Sequence, residues 1–555
     1  MNCRQVVLAL SLSALPLFAQ EEALRFRRAC DRIDRLAERI MRESKVPGMA
    51  LAITSRDGLL HVSTYGFANS DAREPVTPDT LFGLGSIGKS FTAVAVLALH
   101  DARKLNLRAP VQDYLPWFKV NSTGPISLHH LLTHTSGFPS MRMDLTSTAY
   151  QAYWLTEAPV KFEPGKQYHY SSSAFDVLSL VVAAVAQKSY AQFVREAILE
   201  PLEMHQSEPV FTNRMRPRLA VSYEPLYDDR PSRPEYPMVT SNWYEYGGGA
   251  GSVAASATDL ATYVRMMLNR GRGPHNKQIL TEESFGLLTQ RAVPRGQNRY
   301  YGYGLEISDE GGHTLIGHGG GQQGFRSMMI GDLDDGLGVG VVCNAPANLD
   351  FARFALKAVQ AALHNHELPE LPSSDQPTTV VDAPNYSGDY TTAGGKQFSL
   401  RADKDGLMLI YNGQASPLER QGKDAFLCGH PDFPLFPLRF GRKEGSVVEA
   451  SYGSEWYVNA RYGGPKQFDH PSEWNAYPGH YRISSRHHIN FRIALRKGNL
   501  WLINPGGDET ALVPLQAGLF RLGDSPEWLR FDTVVQGECL RVNYSGTDFH
   551  RDFTP

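Results

Sequence analysis

A serine and a lysine three residues apart open an apolar stretch of the chain. They are Ser86 and Lys89, within residues 83–90, GLGSIGKS. Residues i and i+3 share one face of a helix, so the lysine amine can approach the serine hydroxyl. A hydroxyl is an effective nucleophile at neutral pH only when a neighbouring base accepts its proton. The spacing therefore predicts a serine nucleophile with a lysine base.

The same residues also match G-x-x-x-x-G-K-[ST], in which backbone amides cradle the phosphates of a nucleotide. Such a loop follows a buried apolar strand that aims it at the nucleotide. Residues 73–80, however, are polar and contain Pro75 and Pro78, which indicates a loop. Only Leu81 and Phe82 are apolar before the glycines. The context favours the serine–lysine interpretation over nucleotide binding.

Two further polar elements follow in the order that a serine acyl-transfer site needs. Tyr170 begins residues 170–172, YSS, and a phenol beside the lysine can exchange a proton with the leaving group. His318 begins residues 318–321, HGGG, whose glycines let a substrate backbone pass close to a strand edge. Burial and the positive end of a helix would lower the pKa of Lys89, as a base at neutral pH requires.

The composition is that of an ordinary globular protein with several domains. At 555 residues the chain is too long for one core, and three or four domains are expected. With 55 basic and 58 acidic residues, the formal net charge of −3 predicts neither a nucleic-acid partner nor binding to an anionic membrane. The acidic pair Asp228 and Asp229 lies in a long polar loop and is expected to be solvated. The sequence specifies no oligomeric state.

The N-terminus predicts export. Residues 1–4 form a short basic segment, and residues 6–19 form a mostly apolar run that ends in a small residue. This is the layout of a secretory signal peptide, residues 1–20, and the run is too short to span a bilayer comfortably. No later stretch reaches 18 apolar residues. We therefore expect an exported protein, periplasmic or secreted, without a membrane span.

Cysteine usage indicates thiols rather than metal ligands. Four cysteines follow the predicted signal peptide: Cys30, Cys343, Cys428 and Cys539. Their wide spacing and apolar neighbours favour buried single thiols, although the spacing alone leaves a disulfide open. No metal-ligand spacing is present, and neither a metal nor a cofactor is expected.

Residues 21–366 are predicted to form one α+β domain. Residues 48–54 and 59–65 are β-prone runs joined by Asp57 and Gly58, a good hairpin signal. We expect helices at 21–44, 86–100, 173–187, 190–198, 258–268 and 351–365, and strands at 302–307, 326–331 and 338–344. A hairpin at one end and strands at the other indicate an antiparallel sheet that recruits both ends of the domain.

Beyond a proline-rich linker at residues 367–385, an internal repeat indicates two further domains. Two short motifs recur with the same offset of 91 residues: YSGDY at 386–390 with YPGHY at 477–481, and LRF at 438–440 with LRF at 529–531. The composition there is one of short alternating runs with Gly and Pro. We predict two small all-β domains, residues 386–465 and 472–555, built as closed barrels because closure removes exposed strand edges.

Taken together, the three polar elements resemble those of the class C β-lactamase and serine D-peptidase family. Further segments within residues 25–360 carry the resemblance: VPG at 46–48, YGFA at 65–68, LLTHTSG at 131–137, GGAGS at 248–252 and YGYG at 301–304. The resemblance implies a β-lactamase/transpeptidase-like domain, an antiparallel sheet flanked by helices with the site between the sheet and a helical lobe. It also implies a serine hydrolase that works through an acyl-enzyme.

The resemblance assigns a role to each site residue. Ser86 is the acylated nucleophile, Lys89 its base and Tyr170 the general acid–base. The backbone amides of Ser86 and Gly321 form the oxyanion hole. The positions expected to bind substrate are Ser172, His318, Gly319 and Gly320.

Two departures from the family pattern bear on the substrate. The second element usually reads Tyr-x-Asn, whereas Ser172 stands at the third position here. The shorter serine argues against strong β-lactamase activity. The third element reads Lys-Thr-Gly in β-lactamases, whereas the histidine of residues 318–320, HGG, looks more like the D-peptidase and esterase branches.

The expected function is a peptidase acting on D-amino-acid-containing peptides, of the D-aminopeptidase or DD-carboxypeptidase type. A hydrolase domain followed by two barrels resembles the layout of bacterial D-aminopeptidases. One alternative is an esterase or weak β-lactamase that uses the same site. Another is a non-catalytic protein that binds penicillin or cell-wall fragments. In each case the partner is a small peptide, ester or β-lactam.

Overall fold

The computed structural model describes residues 17–142, 147–158, 160, 162–372, 377–404, 406–483 and 489–552. The chain forms two compact units. The first comprises the chain up to Glu224 together with Pro237–Leu371, and the second comprises Pro225–Tyr236 and the chain from Pro372 onward. Most of the predicted signal peptide lies outside the described residues, which begin in a helix at Leu17.

Nine helices are described in the first unit. They are α1 (Leu17–Glu43), α2 (Gly88–Asp101), α3 (Leu128–Leu132), α4 (Thr148–Glu157), α5 (Ser172–Ala186), α6 (Tyr190–Val194), α7 (Ala257–Leu268), α8 (Glu282–Leu288) and α9 (Phe351–Leu363). The strands between Gly48 and Cys343 are β1 (Gly48–Ser55), β2 (Leu59–Asn69), β3 (Glu74–Pro75), β4 (Phe82–Gly83), β5 (Tyr223–Pro225), β6 (Met238–Thr240), β7 (Ala254–Ala255), β8 (Val293–Gly296), β9 (Arg299–Tyr301), β10 (Glu306–Glu310), β11 (His313–Gln322), β12 (Phe325–Asp332) and β13 (Leu337–Cys343).

Nine strands form one antiparallel sheet in the order β3-β2-β1-β13-β12-β11-β10-β9-β8. The predicted hairpin is confirmed as β1 and β2, and Met49 of β1 pairs with Cys343 of β13. Both ends of the domain are therefore recruited to the sheet, as predicted. Helices α1 and α9 pack on one face. Helix α7 covers the other face, where Gly340 leaves room for Leu260.

One predicted strand is confirmed only at its end, where Glu306 and Ile307 begin β10. Residues 302–307 were expected to be extended, but the backbone turns between β9 and β10, where the amide of Gly302 donates to the carbonyl of Leu305 at 2.9 Å. Gly304 has φ +64°, and a Cβ there would lie 2.7 Å from the carbonyl oxygen of Lys89. The turn therefore packs directly on the backbone of α2, a tertiary constraint that local apolar pattern does not encode.

Each of the two predicted all-β regions forms a closed eight-stranded barrel. The first consists of β14 (Gly388–Thr391), β15 (Gln397–Asp403), β16 (Gly406–Tyr411), β17 (Gln414–Gly422), β18 (Ala425–Cys428), β19 (Leu438–Lys443), β20 (Ser446–Tyr452) and β21 (Glu455–Val458). The second consists of β22 (Gly479–Arg482), β23 (Asn490–Arg496), β24 (Asn499–Ile503), β25 (Glu509–Gln516), β26 (Leu519–Leu522), β27 (Trp528–Val535), β28 (Glu538–Tyr544) and β29 (Thr547–Asp552).

Equivalent tyrosines of the sequence repeat make the same hydrogen bond in both barrels. The hydroxyl of Tyr390 donates to the carbonyl of Tyr386 at 2.8 Å, and the hydroxyl of Tyr481 donates to the carbonyl of Tyr477 at the same distance. All four tyrosines are buried. The tyrosines of the repeated motif therefore close equivalent corners of two equivalent barrels.

A short segment within the predicted α+β domain, residues 225–236, belongs to the unit that contains the barrels. Asp228 accepts two hydrogen bonds from Arg482 of β22, at 2.5 and 3.1 Å. Asp229 accepts one from Arg492 of β23 at 3.1 Å. The expectation that this acidic pair is solvated is therefore wrong, because both carboxylates anchor the segment to the second barrel.

Two further expectations concern thiols and membrane spans. The four cysteines, Cys30, Cys343, Cys428 and Cys539, are free and buried, as favoured by their spacing. Among the described residues no single helix is long and apolar enough to cross a membrane. One bent pair, α5 with residues 190–199, meets that test when the two are taken together.

Candidate active site

Ser86 lies on a tight turn rather than within α2. A 3-10 turn, Gly85–Ile87, presents it just before the helix begins at Gly88. Of residues 81–90, Ser86 alone is partly exposed and the others are buried. The turn therefore offers one hydroxyl to solvent at the start of a buried helix.

Glycines allow this turn to pack against neighbouring backbone. Gly85 has φ +50°, and a Cβ there would lie 2.6 Å from the carbonyl oxygen of Gly321 in β11. A Cβ at Gly88 would lie 3.0 Å from the Cα of Gly251. Of the two glycines of the nucleotide-like pattern, Gly88 meets this backbone, and Gly83 meets the ring of Phe325, which lies 2.9 Å from an added Cβ. The match to a phosphate-binding loop follows from packing, and the serine–lysine interpretation accounts for it.

Lys89 is 1% exposed, and its Nζ lies 3.0 Å from Ser86 Oγ. The amine also donates to the carbonyl of Ala250 at 2.9 Å. Burial lowers the pKa of Lys89 from 10.5 to about 7, an effect that the negative charge of Asp176 partly opposes. A substantial part of the amine is therefore uncharged at neutral pH and able to take the serine proton.

Tyr170 precedes α5, and its hydroxyl hydrogen-bonds the hydroxyl of Ser86. The next residue, Ser171, is the N-cap of α5 and accepts from the amide of Ala174 at 3.2 Å. Burial raises the pKa of Tyr170 above its ordinary value, so the side chain is a neutral phenol. Lys89 Nζ lies 4.8 Å from the centre of the tyrosine ring. The structure thus brings together the three residues assigned to catalysis.

The end of β11 lies against the turn that carries Ser86. Pairing of β11 with β10 stops at Gly317, whereas pairing with β12 continues to Gln322. One edge of the last residues of β11 therefore extends beyond β10. Gly321 is exposed there, and the contact between its backbone and Gly85 brings its amide beside the serine turn. This position suits an oxyanion hole formed with the amide of Ser86.

Two of the residues predicted to bind substrate are buried and contact other parts of the protein. A Cβ at Gly320 would lie 1.9 Å from the carbonyl oxygen of Leu84, so this glycine supports the serine turn from below. His318 is 5% exposed, with Nε2 against the hydroxyl of Tyr301 at 3.2 Å and Nδ1 against the carbonyl of Gly319 at 2.6 Å. Both ring nitrogens of His318 therefore have partners within the protein, and its contact with substrate remains a prediction.

The other two positions expected to bind substrate are accessible. Ser172 is partly exposed at the first position of α5, two residues after Tyr170. Gly319 is partly exposed on β11. Their contact with substrate remains a prediction.

Sequence reasoning missed Asp176, a carboxylate of α5 that is fully buried. Its Oδ1 accepts from the amide of Ala250 at 3.3 Å and from the hydroxyl of Tyr246 at 3.2 Å. A Cβ at Gly248 would lie 2.2 Å from the same oxygen, so the glycine segment wraps closely around it. Asp176 thereby fixes the residue whose carbonyl holds Lys89. The sequence signal that could have identified Asp176 is a single acidic residue within an otherwise apolar helix.

Known proteins similar to this chain identify its family. The family model described as beta-lactamase matches residues 33–364. Protein flp of Staphylococcus aureus is 25% identical over 347 residues, which cover 60% of this chain and 66% of that protein, so the chain spans just under two thirds of this relative. Penicillin-binding protein 4* of Bacillus subtilis is 24% identical over 404 residues, 68% of this chain and 87% of that protein.

Among solved structures, the octameric penicillin-binding protein homologue from Pyrococcus abyssi is similar in fold. Its TM-score is 0.57 at 24% identity, and the match covers 78% of this chain and all of that chain. The family match includes the serine turn, the tyrosine element and the glycine-rich end of β11. The chain belongs to the beta-lactamase family.

Proposed function

We propose that this protein is an exported serine hydrolase that works through an acyl-enzyme on Ser86, with D-amino-acid-containing peptides as substrates. The observation that carries the proposal is the 3.0 Å contact between Ser86 Oγ and Lys89 Nζ, an amine whose pKa burial lowers to about 7. A base with a pKa near the working pH combines a large uncharged fraction with useful proton affinity. Such a pair is suited to activating a hydroxyl at neutral pH.

In the acylation step, Lys89 Nζ accepts the proton of Ser86 as Oγ bonds to the carbonyl carbon of the substrate. The carbonyl oxygen takes the negative charge and accepts hydrogen bonds from the amides of Ser86 and Gly321. The bond to the leaving nitrogen or oxygen then breaks, and the phenol of Tyr170 protonates that atom. The ammonium of Lys89 returns a proton to Tyr170, which restores the phenol.

Deacylation uses the same groups in the opposite sense. A water molecule gives a proton to the Lys89–Tyr170 pair as its oxygen bonds to the acyl carbon. The bond from that carbon to Ser86 Oγ breaks, and Oγ takes back the proton. The products are a carboxylic acid and the free enzyme, and no further reactant is needed.

Three observations support a peptide as the acyl donor. The open edge of β11 beyond Gly317 offers backbone groups to an extended chain, as strand addition requires. One relative, 24% identical, carries the name penicillin-binding protein 4*, and penicillin-binding proteins use the same spacing of serine and lysine that Ser86 and Lys89 have. The two barrels also match the D-aminopeptidase layout.

Ser172 favours one second candidate, an esterase or weak β-lactamase. The family asparagine offers both a donor and an acceptor to a substrate amide, whereas a serine hydroxyl is shorter. An ester lacks the amide N–H and would lose less by this change. A non-catalytic binding role is disfavoured, because Ser86, Lys89 and Tyr170 are all present and in mutual contact.

Turnover of a substrate panel distinguishes these functions. The panel contains a D-alanine anilide with a free amine, an N-blocked peptide ending in D-Ala-D-Ala, their L-isomers, a short p-nitrophenyl ester and a chromogenic cephalosporin. We expect the highest kcat/KM for one of the D-peptides and at least tenfold less for its L-isomer. Turnover of the ester without either D-peptide would contradict the peptidase proposal and support the esterase. Covalent labelling without any turnover would support a binding protein.

Export is tested separately. In cells that produce the full chain, the mature protein should be found outside the cytoplasm, with its N-terminus near Glu21. A cytoplasmic protein that retains Met1 or residues 2–20 would contradict this part of the proposal.

A further inference from the structure

His134 holds the residues on both sides of Tyr170. Its carbonyl accepts from the amide of His169 at 2.8 Å, and its Nδ1 accepts from the amide of Ser171 at 3.0 Å. The imidazole also packs against the Tyr170 ring, with 4.3 Å between ring centres and an angle of 37° between the ring planes. The backbone of His134 has φ +57°, an unusual conformation for a residue other than glycine. One residue in a strained conformation thus fixes the general acid–base from both neighbours.

A chain of hydrogen bonds leads from His134 to the end of β11. His134 Nε2 lies 3.2 Å from the hydroxyl of Tyr301, and that hydroxyl lies 3.2 Å from His318 Nε2. His318 Nδ1 lies 2.6 Å from the carbonyl oxygen of Gly319. His134, Tyr301 and His318 are 0, 1 and 5% exposed, respectively. The chain therefore crosses the interior of the site and joins the tyrosine element to the strand that bears Gly321.

Backbone groups fix the direction of every proton in this chain. The amide of Ser171 can only donate, so His134 Nδ1 accepts and His134 carries its proton on Nε2. The carbonyl of Gly319 can only accept, so His318 carries its proton on Nδ1 and its Nε2 accepts. The hydroxyl of Tyr301 then accepts from His134 and donates to His318. The two histidines are thus neutral and hold opposite tautomers.

The surroundings keep both imidazoles neutral. Burial lowers the pKa of His318 to about 4 and that of His134 well below its ordinary value, and the charge of Lys89 acts in the same direction. The neighbouring His318, His169 and Arg295 also act to lower the pKa of His134. Protonation of His134 on Nδ1 would also place two donors face to face at Ser171. The chain is therefore intact throughout the pH range in which Lys89 titrates.

We propose that His134, Tyr301 and His318 are positioning residues that hold Tyr170 in hydrogen-bond register with Ser86 and the glycine-rich end of β11. All three rings surround Tyr170, since the rings of Tyr301 and His318 lie 6.5 and 6.3 Å from it. None of the three exchanges a proton with substrate. Their role in catalysis rests on the proposed serine hydrolase function, whereas the hydrogen-bond chain itself does not.

Histidine tautomers test the chain without any substrate. Long-range proton–nitrogen spectra of the ¹⁵N-histidine-labelled full chain report which nitrogen of each ring is protonated. The His134→Asn and His318→Gln variants assign the two signals. We expect His134 protonated on Nε2 and His318 on Nδ1 at pH 7. Identical tautomers in the two rings, or a charged ring at pH 7, would contradict the proposed hydrogen-bond chain.

Kinetics of Tyr301→Phe test its role. The substitution removes the central hydroxyl and keeps the ring, so Tyr170 loses alignment rather than packing. We expect kcat to fall about 10- to 100-fold, in the range seen for small misplacements in active sites, with KM within about twofold. The matched control is Tyr303→Phe, which removes a 2.7 Å hydrogen bond from another buried tyrosine to His129 Nδ1. The control should lose similar thermal stability but keep kcat.

A second variant separates positioning from general destabilisation. In His134→Asn, Oδ1 can still accept from Ser171, and asparagine tolerates the left-handed backbone, but the link to Tyr301 is lost. Because both substitutions break one chain, the double variant should be about as active as the weaker single variant. Multiplied losses, or a kcat for Tyr301→Phe equal to that of the Tyr303→Phe control, would overturn the positioning role. If no substrate acylates the wild type and no fluorophosphonate labels it, the proposed function fails. The histidine tautomers still test the hydrogen-bond chain in that case.

Discussion

Lys89 reaches Ser86 with a 3.0 Å hydrogen bond from a side chain that is only 1% exposed. Burial disfavours the charged amine and brings its pKa to about 7. The carbonyl of Ala250 holds the same amine at 2.9 Å. A residue that would be a permanent cation on the surface is thereby placed where it can act as a base.

The pH dependence of wild-type activity should report this amine. Only uncharged Lys89 can accept the serine proton, so kcat/KM should fall tenfold per pH unit below the pKa of the free enzyme. With a pKa of about 7, we expect the acidic limb near pH 7. Steady-state rates between pH 5 and pH 9 measure it. A flat profile down to pH 5 would mean that another base serves Ser86.

Asp176→Asn should move that limb to lower pH. The carboxylate favours the charged form of Lys89, so its removal lets burial lower the pKa further. The matched control is Asp259→Asn, another largely buried carboxylate, which accepts from the amide and hydroxyl of Ser207. The control should lose stability and keep the limb in place. A limb that moves to higher pH in Asp176→Asn would contradict the assigned sign.

Ser172→Asn should favour amide-containing acyl groups. The longer side chain can donate to and accept from a substrate amide, and one added hydrogen bond contributes about 1 kcal/mol, roughly fivefold in rate. The measurement is the ratio of acylation rates for a penicillin and a short ester. Using one protein preparation for both rates removes effects of active-enzyme content. An unchanged ratio would show that the substrate amide binds elsewhere.

Arg482→Ala should release the segment 225–236. Its two hydrogen bonds to Asp228 are partly solvated, so we expect a loss of about 1.5 kcal/mol, which is roughly a tenfold rise in amide exchange. Hydrogen exchange followed by mass spectrometry measures this in the full chain. Arg401→Ala, which removes an exposed ion pair with Asp389, is the control and should leave the segment unchanged. Equal exchange in wild type and Arg482→Ala would show that other contacts hold the segment.

Local pattern was sufficient for the hairpin of β1 and β2 and for the nucleophile. The hairpin around Gly58 has a turn signal between two β-prone runs, and Ser86 and Lys89 share a helical spacing. The repeated tyrosines Tyr386 and Tyr477 indicated two barrels, because each makes the same hydrogen bond at the equivalent position of its barrel.

Long-range contacts account for what the sequence did not reveal. Asp176 acts through Ala250, which lies 74 residues further along the chain. The polar sequence of the segment 225–236 predicts a solvated loop, whereas Arg482, which binds its Asp228, lies more than 200 residues away in the sequence. His318 carries a polar side chain beside a predicted binding strand, yet its partners face inward. Such roles depend on which distant group meets each side chain.

Formation of a covalent adduct on Ser86 tests the central claim most directly. Intact-mass spectrometry after incubation with a fluorophosphonate should show one added label, and peptide mapping should place it on Ser86. The Ser86→Ala variant should take no label and lose several powers of ten in turnover, with an unchanged melting temperature. A label on another residue, or turnover by Ser86→Ala within tenfold of wild type, would contradict the account.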